Sequence, residues 1–408
     1  MGNPSTFEQA STVLNAITQQ ATGRSALATS TQSFISIATT AISASKDKVY
    51  NALLNLCGRT IFNIRPWSAT MTGLEKDLPT WGEFMRKLNI VASDWMDNNA
   101  YKYPVTYDAT ESSNPTGNGL SVDPWKINKR EFVETYFTGQ SVFSDQYTIF
   151  EDQLETAFRG PEELMQFIAM HTVDENNKVE MVKDNVSRTL VTNFIGGLLA
   201  ENDSSRVVKL VTLYNAELGL TGSANAFTAT TVMLPDNYPA FMQWAYGKIA
   251  EIASMLRENS VKYQTTISSK PIYRATPYQK QHFYELAKYR FAMESRVLAT
   301  TFHDNYLKLG GDVETVNFWQ SINAPDSINV KPTYTNTSGV VTTAGSAIEQ
   351  AGVFGVLFDD MAMGWSMIKH HTYMTPTNPS GEYRNVFHNM RIRCASDNTE
   401  KGVVFLLA

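Results

Sequence analysis

At 408 residues, with 43% hydrophobic and only 18% charged side chains, the chain has length for about two to three domains and falls below the roughly 25% charge of ordinary soluble domains. It is neither a peptide nor a linker, and so much neutral surface suits extensive subunit contact. A net charge of −6 argues against a sequence-reading nucleic-acid protein, which normally carries a concentrated basic patch. Two distant cysteines, Cys57 and Cys394, exclude a disulfide framework or a cysteine metal cluster, and the lack of an apolar run of about 18 residues or a secretory start points to a soluble, intracellular chain with no membrane span.

From 1 to 45 the only charged residues are Glu8 and Arg24. Phe7, Leu14 and Ile17 with Ala10 and Ala21, then Phe34, Ile37, Ala41 and Ile42, mark two short amphipathic helices. Such a segment is either a mobile tail or an extended arm that orders against neighbours. The apolar stretch 50–67, ending near Pro66, joins it to a folded body.

Residues 81–158 read as two strand-forming limbs around a loose tip. Leu88, Ile90 and Ala92 alternate with Lys87, Asn89 and Val91 on the way out, and Trp125, Ile127 and Lys129 begin the return; this is period-two patterning. Between them, 108–124 carries Asn114, Pro115, Gly117, Asn118 and Gly119, which turn a backbone and do not pack a core. The return limb is aromatic (Phe132, Tyr136, Phe137, Phe143, Tyr147, Phe150, Phe158), and most of these residues are expected to pack. A two-stranded ribbon is marginal alone in water, so it must lie on something, and the natural surface is another copy. Its candidate interface residues are Trp95, Tyr101, Tyr103, Trp125, Lys126, Lys129, Arg130, Glu131 and Glu134, the basic group and the two acids being suited to pairing between subunits.

Gly160 and Pro161 start a helix with Glu162 and Glu163 in its first turn. After a break at Asn176-Asn177, Val182, Val186, Leu190 and Phe194 give a long amphipathic helix ending near Gly196-Gly197 or Asn202. A strand or helix follows at 207–218, a helix at 236–258 with Phe241, Trp244, Ala245, Ile249, Ile252 and Leu256 inward, and a helix at 277–291. The Ser/Thr/Gly-rich 325–351 is surface loop or thin sheet. The apolar 352–358, the mixed 361–371, the alternating 383–393 and the terminal 403–407 read as an antiparallel meander, its last strand tied into a central sheet.

The chain offers little chemistry. His370, His371 and His388 are the histidines placed to converge, but no complete metal-ligand set accompanies them. Gly364-Trp365-Ser366-Met367 lacks the second glycine of a nucleophile elbow, and Gly117-Asn118-Gly119 opens no dinucleotide or phosphate loop. Asp359 and Asp360, adjacent on a strand, point to opposite faces. No catalytic, cofactor or metal site is assigned.

The order of parts resembles the major capsid proteins of tailed bacteriophages, the Hong Kong 97 type fold. The residues carrying the likeness are Arg59-Thr60-Ile61-Phe62-Asn63-Ile64-Arg65-Pro66, 133–147 with Phe143, Tyr147-Thr148-Ile149-Phe150-Glu151-Asp152-Gln153-Leu154, Asn193-Phe194-Ile195-Gly196-Gly197 and Gly402-Val403-Val404-Phe405-Leu406-Leu407. The local wording is also close to capsid proteins of small podophage-like viruses. The resemblance implies an α+β fold with an N-terminal arm (1–66), an extended-loop region (67–158), a spine helix of a peripheral domain (159–203), an axial domain (204–350) and closing peripheral strands (351–408). It implies a non-enzymatic head protein without a cofactor, located in the virion and assembled in the host cytoplasm. Hexamers and pentamers of this protein would enclose DNA without sequence-specific binding, with scaffolding, portal and head-decorating proteins as partners. A portal or tail ring protein is the alternative, and an enzyme with a metal or carboxylate site on the terminal meander is a third reading.

Overall fold

The computed structural model of the chain describes residues 7–22, 28–44, 48–49, 71–76, 84–92, 125, 127, 129–138, 140–152, 161–293 and 311–408. The 50–67 junction and the 108–124 tip lie outside them.

Two helices open the chain, α1 (Phe7–Thr22) and α2 (Thr31–Ala44), and they follow the apolar stripes read from the sequence. Leu14, Ile17, Phe34, Ala38 and Ala41 are buried together with Ile149 and Val386 of the body. The segment expected as a tail or extended arm is thus a helical pair seated on its own chain.

The ribbon forms from β1 (Phe84–Ile90) and β2 (Phe132–Thr138), paired antiparallel from Phe84 opposite Thr138 to Ile90 opposite Phe132. The return strand starts at Phe132 and not at Trp125, which is 86% exposed outside any strand. Next, β3 (Ser141–Phe150) leaves the ribbon and becomes the edge of another sheet.

The long helix, α3 (Pro161–Glu201), runs 41 residues without interruption, about 60 Å at 1.5 Å per residue. The break expected at Asn176-Asn177 is absent, because Glu175 and Asn176 are buried where the helix crosses a sheet. Nor does the helix stop at Gly196-Gly197. A Cβ on Gly196 would fall 2.7 Å from Val330 Cγ1 and 3.1 Å from Pro332 Cβ, so that position is glycine to admit a strand pair. Val186, Leu190, Val191, Phe194, Ile195 and Leu198 carry the helix into the main core.

The stretch 207–218 is both strand and helix: β4 (Val207–Lys209) and α4 (Leu210–Glu217). Helix α5 (Tyr238–Leu256) buries Phe241, Ala245, Ile249, Ile252 and Leu256 as expected, with Trp244 half-buried. The helix expected at 277–291 is instead a 3-10 turn (Tyr278–Lys280), β5 (Gln281–Leu286) and the short α6 (Ala287–Met293). Strand β5 lies inside a sheet and buries residues of both its faces, so it shows none of the alternation that marks a half-exposed strand. After β6 (Asp312–Val316), the Ser/Thr-rich stretch forms thin two-stranded sheets from β7 (Ile328–Val330) with β10 (Ile348–Gln350), and β8 (Thr333–Thr335) with β9 (Val341–Thr343).

The last strands are β11 (Val353–Asp359), β12 (Met363–Met374), β13 (Tyr383–Ser396) and β14 (Gly402–Leu406). They do not make the single meander expected. A three-stranded sheet runs β12-β13-β3, whereas β11 and β14 enter a five-stranded sheet ordered β4-β14-β11-β5-β6. The division arises because β14 pairs parallel with β4, drawing the terminal strand into the central sheet. That sheet, the C-terminal half of α3, α4 and α5 share one hydrophobic core. Among the described residues, no helix is long and apolar enough to cross a membrane.

Candidate functional site

In the β1–β2 register, Arg86, Leu88 and Ile90 share a face with Phe132, Glu134 and Tyr136. That face is turned to solvent: Leu88, Ile90, Phe132 and Tyr136 are each about half exposed (51, 52, 52 and 50%). Ile90 sits opposite Phe132, so the two form a cross-strand apolar pair. A polar group lies beside them: Arg86 Nη2 and Tyr136 Oη each donate to Glu134 at 2.6 Å. The hydrogen bond from Tyr136, and then that from Arg86, holds the Glu134 carboxyl below its ordinary pKa. Several aromatic residues expected to pack, among them Phe132, Tyr136 and Phe150, are instead exposed.

The opposite face of the ribbon rests on the body. Lys87 extends from it to Asp397 Oδ2 at 2.6 Å and to Glu400, both acids being buried. At the ribbon base the Ala92 amide donates to the Pro271 carbonyl at 2.9 Å, and Lys270 pairs with Glu131.

The seat itself is the turn Asp397-Asn398-Thr399-Glu400-Lys401, five polar residues at 5% exposure or less. Asp397 Oδ1 accepts from Thr399 N at 3.0 Å and Thr399 Oγ1 at 2.6 Å. Burial opposes charge on Asp397, but Lys87 and the Thr399 bonds outweigh it and hold the carboxyl below its ordinary pKa. Glu400 also takes Arg274 at 3.1 Å, and Asn398 both donates to the Thr335 carbonyl and accepts from its amide. Arg206, fully buried, donates to Glu201 at 2.6 Å at the end of α3 and to the Asn398 carbonyl at 2.7 Å. Lys401 reaches the carbonyls of Leu256 and Glu258 at the end of α5. One turn therefore ties the ribbon, the long helix, α5 and a thin sheet together.

Of the interface residues expected from sequence, Trp125 is exposed, as are Lys129, Arg130, Glu131 and Glu134. Trp95, Tyr101, Tyr103 and Lys126 lie outside the described residues. Within the chain Glu131 pairs with Lys270 and Glu134 with Arg86, and all four side chains stay at least one-third exposed. Sequence reasoning missed Lys87, Asp397 and Glu400; the concentration of polar residues just before an apolar terminal strand was their signal.

The chemistry candidates separate. Asp359 accepts from Thr276 Oγ1 at 2.5 Å, whereas Asp360 pairs with Lys76 at 2.8 Å and His282 at 3.2 Å. Ser366 is buried in β12, and His371 is exposed. His370 and His388 do converge, and the residue they meet is Glu175 of α3, which sequence reading did not single out; these three are the group among the described residues with donors close enough to hold a metal ion.

Similarity agrees with this architecture. Two solved structures share the fold: a chain in the capsid structure of Staphylococcus phage Andhra (TM-score 0.52, 10% identity, covering 85% of this chain and 86% of that one), and a chain in a structure of the head fiber and inner core protein gp22 of bacteriophage P68 (TM-score 0.52, 10% identity, 84% and 85%). No curated protein sequence matches. The family model described as Phi29-like phage major capsid protein matches residues 14–406, nearly the whole chain. The chain belongs to the Phi29-like phage major capsid protein family, with a Hong Kong 97 type fold and the role of a shell protein.

Proposed function

We propose that the exposed face of the β1–β2 ribbon is the main surface through which copies of this shell protein join into the hexamers and pentamers of an icosahedral head around DNA. The observation that carries the reading is the pairing of an apolar outer face (Leu88, Ile90, Phe132, Tyr136) with an inner face anchored by Lys87 to a buried acidic turn. A rigidly seated ribbon keeps its apolar side available to a neighbour. Covering the remaining half of four such side chains is worth about 1 kcal/mol each before the costs of association. One contact is therefore weak, and closure around a ring multiplies it. Trp125, Lys129, Arg130, Glu131 and Glu134, all exposed, are further contact residues in this reading, and Trp95, Tyr101, Tyr103 and Lys126 join them as candidates from the sequence alone.

The division into arm (1–66), extended loop (67–158), spine (159–203), axial unit (204–350) and closing strands (351–408) belongs to this reading, with β11 and β14 serving the axial sheet. Net charge −6 suits a wall that encloses DNA without gripping phosphate. Scaffolding, portal and head-decorating proteins are its partners, and assembly takes place in the host cytoplasm. The role is structural, without catalysis.

The test is the double substitution Leu88→Asp with Ile90→Asp. Both side chains are half exposed; losing the Ile90–Phe132 pair and setting an acid opposite Glu134 costs about 0.2–1 kcal/mol each, so the subunit should stay folded with a melting temperature lowered by no more than about 3 °C. Sedimentation and electron microscopy should show dispersed subunits in place of closed particles. Normal particles from this variant would refute the proposal.

A further inference from the structure

Glu175, His370 and His388 come together by construction. A bulge in β12 between Met367 and Lys369 shifts the register, after which His370 stands opposite Met390 and Thr372 opposite His388. His370 and His388 are thereby diagonal neighbours on one face of the sheet, and His371 is on the other. In β3, Phe143 pairs with Met390 and Asp145 with His388, completing that face. Helix α3 lays Glu175, Lys178, Val179 and Val182 over it, closing a cleft of about 70 Å³.

Glu175 and His388 are each more than nine-tenths buried. His388 Nε2 makes no hydrogen bond, and the contact of Glu175 Oε1 with His388 Nδ1 is close but lacks hydrogen-bond geometry. Yet Glu175 Oε1 lies 2.6 Å from His388 Nδ1 and 3.6 Å from His370 Nε2, and the three donors fall within 4.8 Å of one another. Ligands about 2.0–2.1 Å from a tetrahedral ion are about 3.3 Å apart, a value between those two separations. A buried carboxylate with an unsatisfied oxygen is costly, and a cation between it and two imidazoles relieves that cost.

We propose that Glu175, His370 and His388 bind a transition-metal dication of the zinc class, which clamps the long helix to the β12–β13 sheet. Two imidazoles and one carboxylate are the donor set of zinc and its neighbours and not of magnesium or calcium, which take oxygen ligands. The cleft has room for a water as fourth ligand. Lys178 lines it too, but its ammonium is held by Asp145 at 2.9 Å and Asp174 at 2.8 Å. With Glu175, these three carboxylates outnumber the one ammonium. Thr372 Oγ1, 2.9 Å from His388 Nδ1, competes for that nitrogen and releases it by rotating its hydroxyl group.

The experiment is calorimetric titration of chelator-treated full-length protein with Zn2+ alone, together with thermal melts. One equivalent should bind and raise the melting temperature. The His370→Ala variant, at a half-buried site where truncation leaves the fold intact, should lose that equivalent and the thermal gain. Glu175→Gln, which keeps the shape of the side chain, should weaken binding at least tenfold, and Mg2+ should give no stoichiometric binding. Absence of a zinc equivalent in the parent chain, equal binding by His370→Ala, or Mg2+ binding as tight as zinc would each overturn the proposal.

Discussion

Replacing Lys87 with Met keeps the length of the side chain and removes the ammonium that joins the ribbon to Asp397 and Glu400. Loss of one partner from a buried pair costs about 3–5 kcal/mol. The lower end applies, because Asp397 keeps its two Thr399 hydrogen bonds and Glu400 keeps Arg274. With an unfolding entropy near 2.1 cal/mol/K per residue over 408 residues, a loss of about 3 kcal/mol lowers the melting temperature by about 3–4 °C. The pH dependence supplies a second readout. In the parent chain Asp397 has a lowered pKa, so its contribution is present above the unfolded value of about 3.9 and is lost as pH falls through the folded value. Without Lys87 the largest influence that lowers the Asp397 pKa is gone, so its charge contributes less stability at neutral pH. The deficit of the variant should therefore be largest near pH 7 and should narrow below about pH 4. Scanning calorimetry from pH 3 to 7 measures both. A deficit under about 1 °C at pH 7, or one that does not narrow in acid, would refute the assignment of Lys87 as the ribbon anchor.

Two glycines on helices should respond with opposite signs to alanine. Gly247→Ala in α5 has nothing within 4 Å of the new Cβ and should stabilise by up to about 1 kcal/mol through helix propensity, whereas Gly196→Ala in α3 drives a methyl into Val330 and Pro332 and should cost about 1–3 kcal/mol; denaturant midpoints decide, and equal signs would contradict the packing of α3 under the thin sheets. Arg206→Met strands Glu201 beside Thr265 and Asn398 and should cost about 3–5 kcal/mol, and adding Glu201→Gln should restore part of the loss. A double variant no more stable than the single one would show that the buried charge is not the cause.

The ribbon strands, the long helix, α5 and the apolar β11 and β14 were legible because each has a strong local pattern. Alternation in β1 and the spacing of Val186, Leu190 and Phe194 in α3 are set by which side is wet. Other features depend on tertiary placement. Strand β5 resembled a helix because Phe283, Tyr284 and Leu286 are all buried, which removes period two. The Asn176-Asn177 pair looked like a break, yet Asn176 is buried against a sheet formed from strands remote in sequence. Glu175 carries no local signal in the sequence, and its meeting with His370 depends on the β12 bulge. The Lys87 anchor joins residues 310 positions apart, a separation that composition cannot show.

The central claim is that the outer face of the ribbon is covered by a neighbouring copy in the shell. Electron cryomicroscopy of assembled particles tests it directly. The account predicts that Leu88, Ile90, Phe132 and Tyr136 are buried against an adjoining subunit, with Lys87 still bound to Asp397 of its own chain. Particles in which those four side chains face open solvent would contradict it.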